Sequence, residues 1–345
     1  MNPSSMHTAS GNAAAETANI PQAGSVPPPV PLRVSESPSD FDPLFRRLAP
    51  VLDELEAKRR ELRRRCLKRG GWTAAAITAA VVGIVAASGT PAWMGVLPGL
   101  IVSGIVFSTL CNAPRQSLRT EYKKRVIPSF VEATVENGSY EPDAGISCGV
   151  FVGCGLFSHP DRYRSEDLIS GRIGKTPFSF SEVHAEEKRT STDSKGRTKT
   201  YWVDIFRGFL FVADFHKDFS GRTCVCRNSW LKWGQGERVR LEDPDFEKLF
   251  DVYSTDQVEA RYILSLTMME RIKTLDRKFK GSGVAVAFRE SRVIVAVRDG
   301  VNHFEAGLWS PVTDPDRLRR DFSAVSALVG IVEDLDLNLR IWSKE

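Results

Sequence analysis

The chain has 345 residues, 42% of them hydrophobic and 26% charged, with a formal net charge of +4. That composition has room for a sizeable core and excludes a chain disordered throughout. The basic charge is local. Residues 58–69 and 115–125 hold 13 Lys/Arg against two Glu, so the rest of the chain is net acidic. A nucleic-acid binder should carry its basic patch on the folded domain, so no nucleic-acid partner is expected.

Residues 1–40 are rich in Ser, Ala, Pro and Gly, including "PQAGSVPPPVPL". They carry too little apolar surface to offset ordering and are expected to be a disordered tail. The Pro run reads as a spacer, with an extended partner ligand as the alternative. No apolar core and no basic start mark a secretory leader.

Residues 41–69 turn helical, with Leu48, Leu52, Leu55 and Leu62 in an approximate heptad seam. Asp53, Glu54 and Glu56 precede Arg59 and Arg60 at favourable helical spacing. The segment fits a juxtamembrane coiled coil or a membrane-surface helix. Arg59 on the seam counts against the coiled coil.

From Gly70 to Pro114 there is no carboxylate, amine, guanidinium or imidazole. Roughly 20 apolar residues cross a hydrocarbon core, so residues 71–111 accommodate two spans, 71–88 and 93–111, joined at "GTPA". Trp72 and Trp93 occupy aromatic-belt positions, and Pro98 predicts a kink in the second span. A buried helical hairpin in a soluble core is the competing reading. Gly95, Gly99 and Gly104 suggest close helix packing. Basic flanks on both sides and an uncharged connection put both termini in the cytoplasm, and those flanks would meet anionic lipid headgroups.

Residues 116–345 are expected to form a cytoplasmic α+β domain. Gln116–Gly138 reads as a helix broken near Pro128, and "SCGVFVGCGLFS" (147–158) as a Gly-rich strand. "PFSFSEVHAEEKRT" and "TKTYWVDIFRGFLFVADF" make a long hairpin around "STDSKGR", to which "GRTCVCRN" adds a third strand. "DQVEARYIL" and "TMMERIKTLDRKF" read as helices with capping boxes at Ser254/Gln257 and Thr267/Glu270. "GVAVAFRE" and "SRVIVAVRD" form a second hairpin. A final helix begins at "TDPD", with Leu318, Phe322, Val325, Leu328, Val329, Val332 and Leu335 on one face. The fold class expected is therefore an α+β domain of antiparallel hairpins and packed helices on a two-helix transmembrane hairpin.

No catalytic, cofactor or metal residue is assigned. The cysteines are Cys66, Cys111, Cys148, Cys154, Cys224 and Cys226. Cys224 and Cys226, two apart on a strand, share a face but lack the spacing of zinc knuckles. None of His7, His159, His184, His216 and His303 lies in a metal-binding motif. His184 would share a strand face with Glu182 and Glu186, where general acid–base chemistry is conceivable and a solvated face is the plainer reading. "GKT" at 174–176 lacks the first glycine of a phosphate loop, and "RKFKGSG" (277–283) reads equally as a basic lipid contact or a solvated helix end.

The segments "YRSEDLISGRIGKTPFSFSEVHAEEK", "IFRGFLFVADFHKDFSGRT" and "FEKLFDVYSTDQVEARYILSLTMMERI" resemble an uncharacterised bacterial two-span membrane-protein family known only as a domain of unknown function. The resemblance runs over roughly residues 40–345 and implies a bacterial inner-membrane setting. It carries over no catalytic residue. The expected function is a membrane-anchored cytoplasmic binding, scaffold or regulatory protein, with a protein partner and a homo-oligomer both compatible. The alternative is a membrane-tethered enzyme using Glu182, His184, Asp204, Asp214 and His216 of the long hairpin. Transport is weaker, because neither span holds an ionisable residue.

Overall fold

A computed structural model describes residues 41–192, 196–215, 217–227, 236–279 and 283–337. The expected tail at 1–40, His216 and part of "RKFKGSG" lie outside the described residues.

Two long helices begin the fold. α1 (Phe41–Ala87) has 47 residues and extends about 70 Å at 1.5 Å per residue. A turn of 3-10 helix at Ala92–Gly95 reverses the chain into α2 (Val96–Arg125). Each is long and apolar enough to cross a membrane. The apolar half of the pair leaves Trp72, Ile84, Trp93 and Leu97 from 68% to 80% exposed, unlike the buried seam of a soluble core helix. Close approach is built from small residues. A Cβ on Gly95 would stand 2.9 Å from the Val82 backbone, and one on Gly99 would stand 3.2 Å from that of Thr78. Ser103 Oγ donates to the Ala74 carbonyl and shares a hydrogen bond with Thr78 Oγ1, each at 2.9 Å. Gly104 meets nothing, so it is not part of this packing. Pro98 sits in the first turn of α2, where no intrahelical donor is lost, so it does not kink the span as expected. α2 also runs unbroken through Pro114 to Arg125; a separate helix from Gln116 is not formed. The break falls at Val126, and α3 (Ile127–Thr134) follows with Pro128 in its first turn.

The polar half of the hairpin belongs to the domain. Leu48, Leu52 and Leu55 of α1 and Leu118 and Tyr122 of α2 are buried in its main core. The expected leucine seam is real, but its cover is the folded domain, not a coiled-coil partner or a membrane surface. Arg59 sits on that seam at 4% exposure because Glu56 neutralises it and the Leu308 carbonyl accepts from its Nη1 at 2.9 Å.

The remaining elements follow in chain order: β1 (Ser139–Glu141), α4 (Cys148–Gly153), β2 (Arg162–Ile173), β3 (Thr176–Thr192), β4 (Thr198–Asp214), β5 (Arg222–Arg227), β6 (Glu237–Val239) and α5 (Pro244–Leu249). Then come β7 (Phe250–Ser254), α6 (Gln257–Ile263), α7 (Leu266–Lys278), β8 (Val284–Arg289), β9 (Arg292–Arg298), α8 (Pro315–Val329) and α9 (Ile331–Asp334). Among the described residues, one antiparallel sheet takes the order β1-β2-β3-β4-β9-β8-β5-β7-β6. Both expected hairpins are present, as β3–β4 and β8–β9. β5 is a strand but does not extend the first hairpin; it pairs with β8 and β7.

Alternation divides the sheet's side chains between two layers. Phe209, Phe211, Val286, Phe288, Val293 and Val295 face α1, α2, α7 and α8. Leu210, Ala285, Ala287, Ile294 and Ala296 face the smaller layer around Phe151 and Phe157. Phe151 belongs to α4, a helix and not the strand expected from its glycines. Ser147 caps it, its Oγ accepting from the Val150 amide at 3.4 Å.

Two helix starts also move. Asp256, not Ser254, caps α6, and Ser265, not Thr267, caps α7. Ser254 is held in β7 opposite Thr223, too early to begin the helix. The final helix ends at Val329, and Gly330 passes the chain to α9, so Val332 and Leu335 are buried from a separate turn.

Candidate functional site

The densest polar construction lies where α2 enters the domain. Lys123, 3% exposed, pairs with buried Asp167, whose other oxygen accepts from the Tyr140 hydroxyl. Asp167 occupies a left-handed conformation (φ 61°) within the β2–β3 irregularity between Glu166 and Ile169, which turns its carboxylate toward α2. Arg119, one turn earlier on α2, bridges Glu166 and Glu305. Burial raises the pKa of Asp167 and of Glu305 against the lowering effect of these cations. Burial, then the Asp167 charge, also raises Tyr140.

Next to it, His303 is fully buried between two carboxylates. Nε2 lies 2.7 Å from Asp299 and Nδ1 lies 2.9 Å from Asp321. With an acceptor on each nitrogen, the ring donates twice and is an imidazolium. Burial pulls its pKa down, but the two carboxylates outweigh it and raise it to about 10. The His303 amide donates to Glu182 at 3.1 Å. Burial raises Glu182 to about 8 despite the nearby imidazolium. A general base needs a pKa near the working pH and access to substrate. His303 offers neither; it ties the loop after β9 to α8.

That loop is also fastened to α1. Glu56 accepts from Arg59 at 2.7 and 2.8 Å, from Arg60 at 2.9 Å and from the Val312 amide at 3.0 Å. These donors, Arg59 foremost, hold its pKa down at about 2. Further along, half-exposed Trp309 stacks on Phe107 of α2 at 6.3 Å and receives the Arg63 guanidinium at 5.6 Å. The domain thus touches the start of the apolar helical section. A cavity of about 510 Å³ opens at the Arg119–Glu305 pair, lined also by Arg115.

The hairpin residues considered for catalysis do not converge as a set. His184 and Asp204 meet, Nε2 to Oδ1 at 2.8 Å. Glu186 joins them, with one ligand atom from each residue within 4.8 Å of the others. These half-exposed groups are the described residues best arranged for a cation, although His184 and Asp204 already satisfy each other. Glu182 shares their strand face but is buried against His303, and Asp214 lies at the far end of β4 opposite Arg292. Sequence reasoning missed Lys123 and Asp321 because their partners are 44 and 18 residues away, and Asp299 because its partner, four residues on, is reached through a loop and not along a helix face. The Cys224 thiol donates to the Cys154 carbonyl at 3.4 Å, and the two are buried with raised pKa values, about 12 and about 11. They are protonated core thiols, Cys224 on β5 and Cys154 at the end of α4.

No curated protein matches the chain. Among solved structures, the mycobacterial trehalose monomycolate transport factor A, TtfA, aligns at 12% identity and a TM-score of 0.32. The alignment covers 59% of this chain and 92% of that one, a likeness too low to argue from. The family model "Protein of unknown function (DUF3137)" matches residues 204–337, from within β4 to just beyond α9. Two of the three segments that carried the resemblance fall inside this match; the segment at 163–188 precedes it. Over residues 204–337 the chain is therefore similar to a domain of unknown function.

Proposed function

We propose that this chain is a membrane-anchored binding, scaffold or regulatory protein of the bacterial inner membrane, with both termini and the α+β domain in the cytoplasm. The observation that carries the reading is continuity. α1 and α2 each pass from an apolar, lipid-length section straight into the domain core at Leu55 and Leu118, so anchor and domain form one body. The basic residues at 58–69 and 115–125 collar the domain side of the apolar section, and the Gly89–Ala92 turn is uncharged, which favours a cytoplasmic domain. A binding role is favoured because the buried titratable groups at the junction bond to one another and hold elements together.

Alkaline carbonate extraction and membrane-impermeant amine labelling test the anchor. The chain should stay with the membrane, and exposed Lys175 should label only after the inner membrane is opened. Release into the supernatant, or labelling of Lys175 on intact cells stripped of their outer layers, refutes it. Photo-crosslinking from domain surface positions in the full chain then identifies a protein partner. A membrane-tethered enzyme is the second reading, favoured by the accessible His184–Asp204 contact beside Glu186. It requires a turnover by the purified chain that His184→Ala abolishes.

A further inference from the structure

The β3–β4 hairpin outruns the rest of the sheet. β2 accompanies β3 only as far as the Arg162↔Glu186 pair, and β9 accompanies β4 only as far as Gly208↔Arg298. Beyond them β3 and β4 continue as a two-stranded arm, from Glu187↔Val203 to Thr192↔Thr198. A lone two-stranded ribbon is marginal in water and gains from a surface to lie against.

The direction of the arm follows from contacts along the helices. At the far end of the domain, a Cβ on Gly171 of β2 would run into Val135, just beyond α3. Five residues back along β2, Glu166 pairs with Arg119, nearer the apolar part of α2. Glu182 lies opposite Glu166, and the arm continues the same way. From Glu182 to Thr192 the strand advances about 33 Å. From Arg119 back to Cys111, where the apolar section ends, α2 covers only about 12 Å. Even a steeply inclined arm therefore reaches the level at which the helices enter lipid.

Its composition suits that level. The described arm carries Lys188, Arg189, Arg197 and Lys199, and has no acidic residue after Glu187, which pairs with Arg189. Asp193 and Lys195, between the described strands, cancel in charge. Tyr201 and Trp202 are 47% and 37% exposed, and the Arg162 guanidinium stacks 3.5 Å from the Trp202 ring centroid. Basic groups interleaved with Trp and Tyr are the chemistry of an anionic lipid–water interface. We propose that this arm docks on the anionic headgroups of the leaflet beside the anchor, giving the domain a second hold on the membrane. The proposal rests on the membrane-anchor reading and adds a contact distinct from the basic helix flanks.

The test uses the full chain in lipid nanodiscs of phosphatidylcholine, with and without phosphatidylglycerol, and follows amine acylation by peptide mass spectrometry. Lys188 and Lys199 should react at least about five-fold more slowly in the anionic discs. High salt should restore their rates, and Lys175 at the opposite end of β3 should react equally in both. In K188E/K199E, two exposed substitutions, trypsin cleavage after Arg197 in anionic discs should rise to the rate in neutral discs. Equal reactivity of Lys188 and Lys199 in the two lipids, or protection that salt leaves intact, overturns the proposal. A chain that enters neither disc overturns the anchor reading instead, and the arm's role falls with it.

Discussion

Leu55→Ala tests whether α1 is part of the domain or an independent juxtamembrane helix. Leu55 is fully buried, and Leu52 is only 1% exposed one turn before it. Removing a buried leucine side chain costs the lost transfer energy plus that of the remaining cavity, about 2–5 kcal/mol. In a folded part of this size each kcal/mol lowers the melting midpoint by about 2–4 °C, so a fall of about 4–20 °C is expected. The assay is thermal unfolding of the full chain in detergent, followed by the near-ultraviolet circular dichroism of the domain's aromatic core. Ile84→Ala supplies the control. Ile84 is 71% exposed in the apolar section, where detergent replaces the contacts it loses, so the midpoint should stay put. Leu62→Ala, only partly buried against the core, should fall between the two. If Leu55→Ala melts with the wild type, the seam is not in the domain core and α1 is again a free helix.

The buried His303 and Glu182 predict a stability that declines with rising pH. His303 is raised from 6.5 to about 10, so its contribution is full below pH 6.5 and is lost as the pH passes about 10. Glu182 is raised from 4.5 to about 8, so its contribution is full below pH 4.5 and is lost through about 8. Denaturant midpoints across this range should fall, and His303→Gln should flatten the upper part; a rising profile contradicts the buried imidazolium. Gly208→Ala should destabilise the domain by at least about 3 kcal/mol, because Gly208 has φ +146° and a Cβ there would lie 2.1 Å from the Val297 carbonyl oxygen. An unchanged melting midpoint would contradict that close approach of β4 to β9. Cys111 lies against Cys66 across the α1–α2 contact. Mild oxidation should join them within one chain, seen as a two-hydrogen mass loss, and Gly99→Leu should suppress the bond by forcing the helices apart at Thr78. Persistent cross-linking in that variant would count against the packing.

Patterns that depend on local spacing were legible in the sequence. The β8–β9 hairpin shows in two short apolar runs around a polar turn, with Val293 and Val295 facing one layer and Ile294 and Ala296 the other. The amphipathic face of α8 shows as Leu318, Phe322 and Val325, all buried. Local cues failed where two were equally good. Ser254 and Asp256 are both strong helix caps, and the pairing of Ser254 with Thr223 across β5 and β7 left the role to Asp256. The glycines of "SCGVFVGCG" suit a strand as well as a short helix, and the layer around Phe157 and Phe206 selected the helix by burying Phe151.

The charge-free stretch from Gly70 to Pro114 and its basic borders are facts of composition, and they alone settle that two helices suit a hydrocarbon layer. What covers the leucine seam of α1, why Arg59 can stand on it, and where His303 finds two carboxylates were decided only by the tertiary structure. Periodicity describes which face of an element is apolar. The element that comes to lie on that face is fixed by contacts between residues far apart in the chain, such as Arg59 with Leu308 and Lys123 with Asp167, which no local pattern encodes.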